Sequence, residues 1–276
     1  MKLESSYAFR SMLVAPKDHV LIQWDLAQAE SWIVAHLTDD DNMKYSLKHG
    51  DIHTDTAIDA LGLWKPAKGE ERKNIPKNQR YMGKQANHAY AYRMGFKKGA
   101  EIINKRSHLP PYVTVTGSTT KQHQMKWTSY YNVKPWWKQI EDKLSATRML
   151  VNCYGQVRTF YDQWGSALFN EATAFEPQST VADHWNGQVH PDLGIEGGVL
   201  TVYDEFVVAR KAIKIVNQAH DSMMAEVHKD IVDDIVMPIT LLLRRPLVVN
   251  DMEFTIPVDC EIGERNGEFE TYKLEL

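Results

Sequence analysis

Four residues of the stretch "RYMGKQANHAYAYRMG" (80–95) stand four apart: Arg80, Lys84, His88 and Tyr92. On a helix, side chains at i and i+4 are neighbours, so one edge would carry two cations, an imidazole and a phenol. Such an edge suits a ligand that is anionic at one end and flat at the other, and it equally suits a solvated helix face. Two aspartates form a second candidate. Asp25 follows the apolar run "HVLIQW" and Asp221 follows "IKIVNQAH". Each alone is explained as a turn residue. If neighbouring strands presented both, two carboxylates would converge with no Lys in either motif. A divalent cation would neutralise that arrangement, and hard oxygen ligands favour Mg²⁺.

The chain that must position these groups has 276 residues, 43% of them hydrophobic, enough for one large domain or two lobes. No charged leader followed by an apolar run is seen at Met1, and no stretch approaches a membrane span, which points to a cytoplasmic protein with no membrane partner. Two cysteines, Cys153 and Cys260, cannot build a disulfide framework or, unaided, a zinc site. The net charge of −4 argues against indiscriminate polyanion binding. Cations are nevertheless concentrated. Between Lys65 and Arg106 there are twelve Lys or Arg against Glu70, Glu71 and Glu101, a local balance of +9. That patch would attract phosphates or serve as a soluble helical surface.

The pattern of elements is mixed. "HVLIQW" reads as a short strand, "AQAESWIVAHL" as a helix, and "GDIHTDTAIDALGLW" as a second short helix with Asp51 or Thr54 near its start and Gly62 near its end. Residues 65–76 form a charged loop before a long helix through 80–95. "HLPPYVTVTGSTT" (108–120) reads as extended loop, "PWWKQIEDKLSATRML" as helix and "NCYGQVRTFY" as hairpin. A helix over 170–185 precedes two strands around a tight turn at His220 and Asp221. A helix through "DIVDDIVMPITLLL" and a final strand near "FTIPVDCEIG" complete the chain.

Three of these segments carry a resemblance. "DLAQAE" (25–30), the Arg80 to Tyr92 row and "QAHD" (218–221) resemble motifs A, B and C of family A DNA polymerases in order and spacing. "FRSMLVAP", "DIHTDTA", "PQSTVAD" and "AEVHKDIVD" are similar to that family in the corresponding places. The resemblance runs from about Phe9 to Gly263 and is weakest over 107–150. It implies an α+β fold, with an antiparallel palm sheet, packed helices and an inserted, mainly helical fingers subdomain, and without thumb or exonuclease domain. The implied division is palm over 1–32, fingers over 33–165 and palm again over 166–276.

The same resemblance implies a DNA-templated DNA polymerase that adds deoxynucleotides to a primer 3′-OH by two-metal phosphoryl transfer. Asp25, Asp221 and the Leu26 carbonyl would hold two Mg²⁺ ions. Arg80 and Lys84 would grip the triphosphate, Lys84 also serving catalysis. His88 would face base and sugar, and His53 and Gln28 would complete the nucleotide site. Tyr92 would sit near the templating base and hydrogen-bond to Glu30, which resembles a steric gate against a ribose 2′-OH. Gln178, Tyr92 and His220 would contact primer-template DNA. The chain departs from the family pattern at His88, where Phe or Tyr is usual, at Ser222, where Glu is usual, and at Asn170 and Ala174, where Arg and Asn are typical.

The short stretch before Asp25 leads to the expectation of a separate polypeptide carrying a thumb and perhaps an exonuclease. A non-catalytic primer-template or nucleotide-binding subunit is the alternative. An HD-type phosphohydrolase centred on His220 and Asp221 is disfavoured by the apolar strand before them.

Overall fold

Periodicity switches from two to near four and back along the chain, and the elements follow it. The computed structural model describes residues 11–105, 108 and 110–274; Phe9 and Arg10 of "FRSMLVAP" and Arg106 of the basic stretch lie outside the described residues. The first part holds β1 (His19–Leu26), α1 (Ala29–Leu37), α2 (Asp41–His49) and α3 (Ile52–Asp55), which a wider π turn extends over Thr56–Ala60. Next come α4 (Lys77–Tyr90), α5 (Phe96–Lys105), α6 (Gly117–Tyr130), α7 (Lys134–Thr147), the strands β2 (Met149–Val151) and β3 (Val157–Thr159), and α8 (Ser166–Asn186). The remainder holds α9 (Gly198–Val202, with a π turn over Tyr203–Ala209), β4 (Ile213–Ala219), β5 (Ser222–His228), α10 (Val232–Leu243), β6 (Pro246–Val249), β7 (Met252–Thr255), β8 (Val258–Gly263) and β9 (Glu270–Thr271). The fold class is α+β, as the sequence implied.

Contacts divide the chain into two units. The first comprises Met1–Ala29, Cys153–Gly155 and Ser179–Leu276. Its centre is an antiparallel five-stranded sheet of order β4-β5-β1-β8-β9. As a central strand, β1 is paired on both edges, and its run Val20, Leu21 and Ile22 is buried throughout. Alternation begins at its end. Trp24 and Leu26 are buried while Gln23 and Asp25 are half-buried. Trp24 is fully enclosed and its indole N–H donates to Thr240 Oγ1 at 3.1 Å, which ties α10 to β1. Truncating such a side chain costs about 3–5 kcal/mol.

The second unit comprises Glu30–Asn152 and Gln156–Gln178. Its core joins Trp127, Tyr131, Trp136, Ile140 and Phe160 from α6, α7 and the chain around β3. Against it, α4 lies so close to α3 that a Cβ added at Gly83 would stand 2.0 Å from the His53 carbonyl oxygen and 3.0 Å from the Ala57 nitrogen. Only a residue without a side chain permits that approach.

The structure corrects the sequence reading in three places. The stretch 108–120 is not extended to its end, because α6 starts at Gly117. The Thr116 hydroxyl caps it, accepting the Thr119 N–H at 3.1 Å, and the helix buries Thr120, His123 and Trp127. A cap and a buried face outweigh the β preference of scattered threonines. The long helix stops before Tyr92: Arg93 takes a left-handed φ of 60° and the Met94 N–H reaches back to the Ala89 carbonyl at 3.0 Å. The chain end carries four strands rather than one. Asn250 and Asp251, with φ of 50° and 59°, make the tight turn between β6 and β7. The short helix α9 was not anticipated.

Candidate functional site

In the first unit, main-chain pairing assembles the acidic residues. On β1, Asp25 lies opposite Ser222 of β5 on one side and Asp259 of β8 on the other. His220, with a left-handed φ of 54°, and Asp221 form the turn joining β4 to β5. The Leu26 N–H donates to the Asp221 carbonyl at 3.0 Å, so Asp221 sits directly beside the end of β1 and next in register to Asp25. Asp259 and Glu261 are two apart on β8 and, with Gln23 and Asp25, line one cleft. Burial raises the Asp259 pKa; burial likewise raises that of Asp221, opposed by its own backbone N–H and by His220.

Among the described residues, no group of three or more His, Cys, Asp or Glu is arranged to enclose a metal ion. The main chain places two hard-oxygen carboxylates, Asp25 and Asp221, at neighbouring register positions beside Leu26. Mg²⁺ is commonly held by one or two carboxylates, with phosphate oxygens and water completing its octahedron, so this donor set fits that ion.

In the second unit, α4 carries Arg80, Lys84 and His88 at successive turns, and Tyr92 follows two residues beyond the helix end. Lys84 and His88 are exposed. Arg80 is engaged: Nε and Nη2 donate to the two oxygens of Asp51 at 2.6 and 3.1 Å. Asp51 also caps α3 through the His53 and Thr54 N–H groups. Burial alone would raise the Asp51 pKa, but Arg80 and Thr54 hold it below the ordinary value.

Tyr92 Oη donates to the Glu30 carboxylate, and burial, then the Glu30 charge, push the phenol pKa well up. Glu30, Ile52, Asn87, His88, Tyr92 and Trp127 border one crevice. His53 is buried, with its ring centroid 5.7 Å from that of His88. Desolvation lowers the His88 pKa, aided by Lys84 and opposed by Glu30. A shift in this direction works against a third cation in the row.

Three further candidates belong to other elements. Gln178 is exposed inside α8, and His220 is exposed in its turn. Gln28 takes a left-handed φ of 58° between β1 and α1, and its side-chain oxygen is buried without a hydrogen-bond partner. Sequence reasoning read Asp51 only as a helix start and overlooked Gly83, Asn87, Asp259 and Glu261. Only the last pair had a usable signal, two carboxylates at a spacing of two in a strand-like segment, which places them on one face.

Known proteins resemble the chain in sequence and in fold. The sequence profile of DNA polymerase family A matches residues 1–268. DNA polymerase I of Lactococcus lactis subsp. lactis (strain IL1403) is 31% identical over 93 residues, 33% of this chain and 10% of that protein. DNA polymerase I of Lactococcus lactis subsp. cremoris (strain MG1363) is 30% identical over 93 residues, again 33% of this chain and 10% of the relative. Among solved structures, the POL domain of Pol1 from M. smegmatis, in complex with DNA primer-template and dNTP, has a similar fold. It superposes with a TM-score of 0.73 at 16% identity, covering 96% of this chain and 43% of that one. The matched stretch is thus a tenth of the curated relatives' length and the chain under half of the structural neighbour. A profile match over residues 1–268 assigns the chain to DNA polymerase family A.

Proposed function

We propose that the chain carries the nucleotidyl-transfer centre of a DNA-templated DNA polymerase. The observation that carries this reading is the β4–β5 turn, which sets Asp221 against Leu26 at the end of β1, next in register to Asp25. Asp25, Asp221 and the Leu26 carbonyl are the residues that would hold two Mg²⁺ ions. When bound, these ions supply charge neutralisation at the attacking and departing oxygens of an in-line displacement. In that displacement the primer 3′-oxygen bonds to the α-phosphorus, the bond to the β-phosphate oxygen breaks, pyrophosphate leaves and the hydroxyl proton passes to solvent.

The other residues bind and orient. Lys84, exposed on α4, offers an ammonium to the triphosphate, and Arg80 joins it by exchanging its Asp51 partner for phosphate oxygens. His53 and Gln28 add polar contacts to the nucleotide, and His88 lies against base and sugar. Glu30, held by the Tyr92 hydroxyl, restricts the space available to a 2′-OH. Gln178 and His220 contact primer-template, where minor-groove acceptors shared by all base pairs let one amide test pair geometry without reading sequence. Cations concentrated over 65–106 serve nucleotide and template, so the grip on duplex phosphates comes from elsewhere, in a further domain or a separate polypeptide bearing a thumb.

Primer extension with Mg²⁺ tests the reading, run with and without a thumb-bearing polypeptide of the same family. Extension that Asp25→Ala abolishes is the expected result. Nucleotide and duplex binding without extension under any of these conditions would instead identify a binding subunit.

A further inference from the structure

Five buried polar side chains of the second unit form one chain of hydrogen bonds, and the direction of every bond in it can be fixed. Trp127, fully enclosed on α6, has an indole N–H that can only donate, and it donates to Asn87 Oδ1 at 2.8 Å. That contact orients the Asn87 amide. The same Oδ1 accepts from Thr56 Oγ1 at 2.9 Å, so the Thr56 oxygen is left to accept from Tyr131 Oη at 2.7 Å. Asn87 Nδ2 therefore faces α3, donating one hydrogen to the Ile52 carbonyl at 3.4 Å and the other to His53 Nδ1 at 3.2 Å. A ring nitrogen that accepts a hydrogen bond carries no proton. The proton of the neutral imidazole must lie on Nε2.

We propose that Asn87 is a positioning residue: it locks His53 as the neutral Nε2–H tautomer, so that this buried ring presents one N–H donor, and not a cation, to a triphosphate held beside Arg80 and Lys84. The donor role rests on the nucleotide-binding reading above; the tautomer does not. Electrostatics act in the same direction. Desolvation lowers the His53 pKa to about 3, and His88, Arg80 and Lys84 disfavour a charged ring further, with Asp51 alone opposing. A fixed donor needs no proton uptake when an anion arrives, and its strength is constant across the neutral range. Gly83 completes the device, since its missing side chain is what allows α3 to approach Asn87.

Two-bond ¹H–¹⁵N correlation NMR of the histidine-labelled chain at neutral pH reads the tautomer directly, with the His53 signals identified by their loss in His53→Gln. The expected result is a protonated Nε2 and a bare Nδ1; a proton on Nδ1, or a doubly protonated ring, would overturn the lock. This measurement needs no variant at Asn87. Asn87→Asp, which replaces the amide donor by an acceptor, should move the proton to Nδ1, and retention of Nε2–H in that variant would also overturn it. Calorimetric titration with inorganic tripolyphosphate tests the donor role, with an expected loss of about tenfold in affinity for Asn87→Asp. Unchanged affinity together with a reversed tautomer would overturn that role. Neither readout requires DNA, Mg²⁺ or turnover, so a failure of primer extension would count against nucleotidyl transfer and leave these results standing.

Discussion

The carboxylate end of the sheet and the polar knot behind α4 solve the same problem in opposite ways. Around Asp25 the neighbours are set by main-chain register: Ser222 lies opposite on β5, Asp259 lies opposite on β8, and Asp221 is delivered by a hairpin turn. Around His53 they are set by side chains, in a sequence of donors and acceptors running from Tyr131 through Thr56 and Asn87, with Trp127 as its anchor. A ladder is indifferent to which side chain occupies a position, and it accepts Ser222 opposite Asp25. A buried network is not indifferent, because removing one partner leaves another polar group desolvated and unpaired.

The largest expected effect is at the sheet. Asp25→Asn should leave the fold intact, since register is independent of the charge, yet lower the extension rate by about 10³-fold, the equivalent of several kcal/mol of transition-state stabilisation. Single-turnover primer extension beside circular dichroism would separate chemistry from folding. A variant that loses both would show that the sheet end depends on its side chains after all.

Gly83→Ala should produce the next largest effect, this time on stability. The new methyl would overlap the His53 carbonyl oxygen, and forcing α3 and α4 apart should cost about 3 kcal/mol, read as a lower urea midpoint. An unchanged midpoint would mean that the two helices separate easily and that the network is not rigid.

Acidification probes the buried rings. His53 and His184 both have folded pKa values lowered to about 3 by burial, below the ordinary 6.5. The unfolded chain therefore takes up protons first as pH falls. The stability these rings contribute is fully present above about pH 6.5 and is lost between there and about pH 3. Each ring should add a slope of about 1.4 kcal/mol per pH unit within that window. Denaturant titrations at several pH values should show His53→Gln removing one of the two contributions. A slope that His53→Gln leaves unaltered would contradict the assignment.

The smallest effect is expected from Ser222→Glu. A carboxylate directly opposite Asp25 should cost about 0.5 kcal/mol through like-charge repulsion, with register retained. Thermal melts with and without Mg²⁺ should show the cation offsetting that cost. A large loss of stability would place the sheet end in the same class as the buried network.

Much of this organisation is written in local pattern. The apolar run before Asp25, the turn at His220 and Asp221, the helices over 134–147 and 166–186 and the order of the three motifs all follow from periodicity, turn chemistry and resemblance, which depend on neighbours in sequence. By itself the sequence thus determined the fold class, the family likeness and the placement of Asp25 near a strand end and Asp221 in a turn. Where it misled, a distant contact had overridden a weak local preference. The helix over 117–130 forms on a threonine cap and a buried Trp127, although its first residues read as extended loop. Only the tertiary structure decided that Arg80 is paired with Asp51, that Asp259 lies across from Asp25, and that the Asn87 amide meets His53 Nδ1. In each case the partner lies between 29 and 234 residues away along the chain. Hydrogen-bond direction and desolvation are properties of what surrounds a group in space, and no local spacing encodes them.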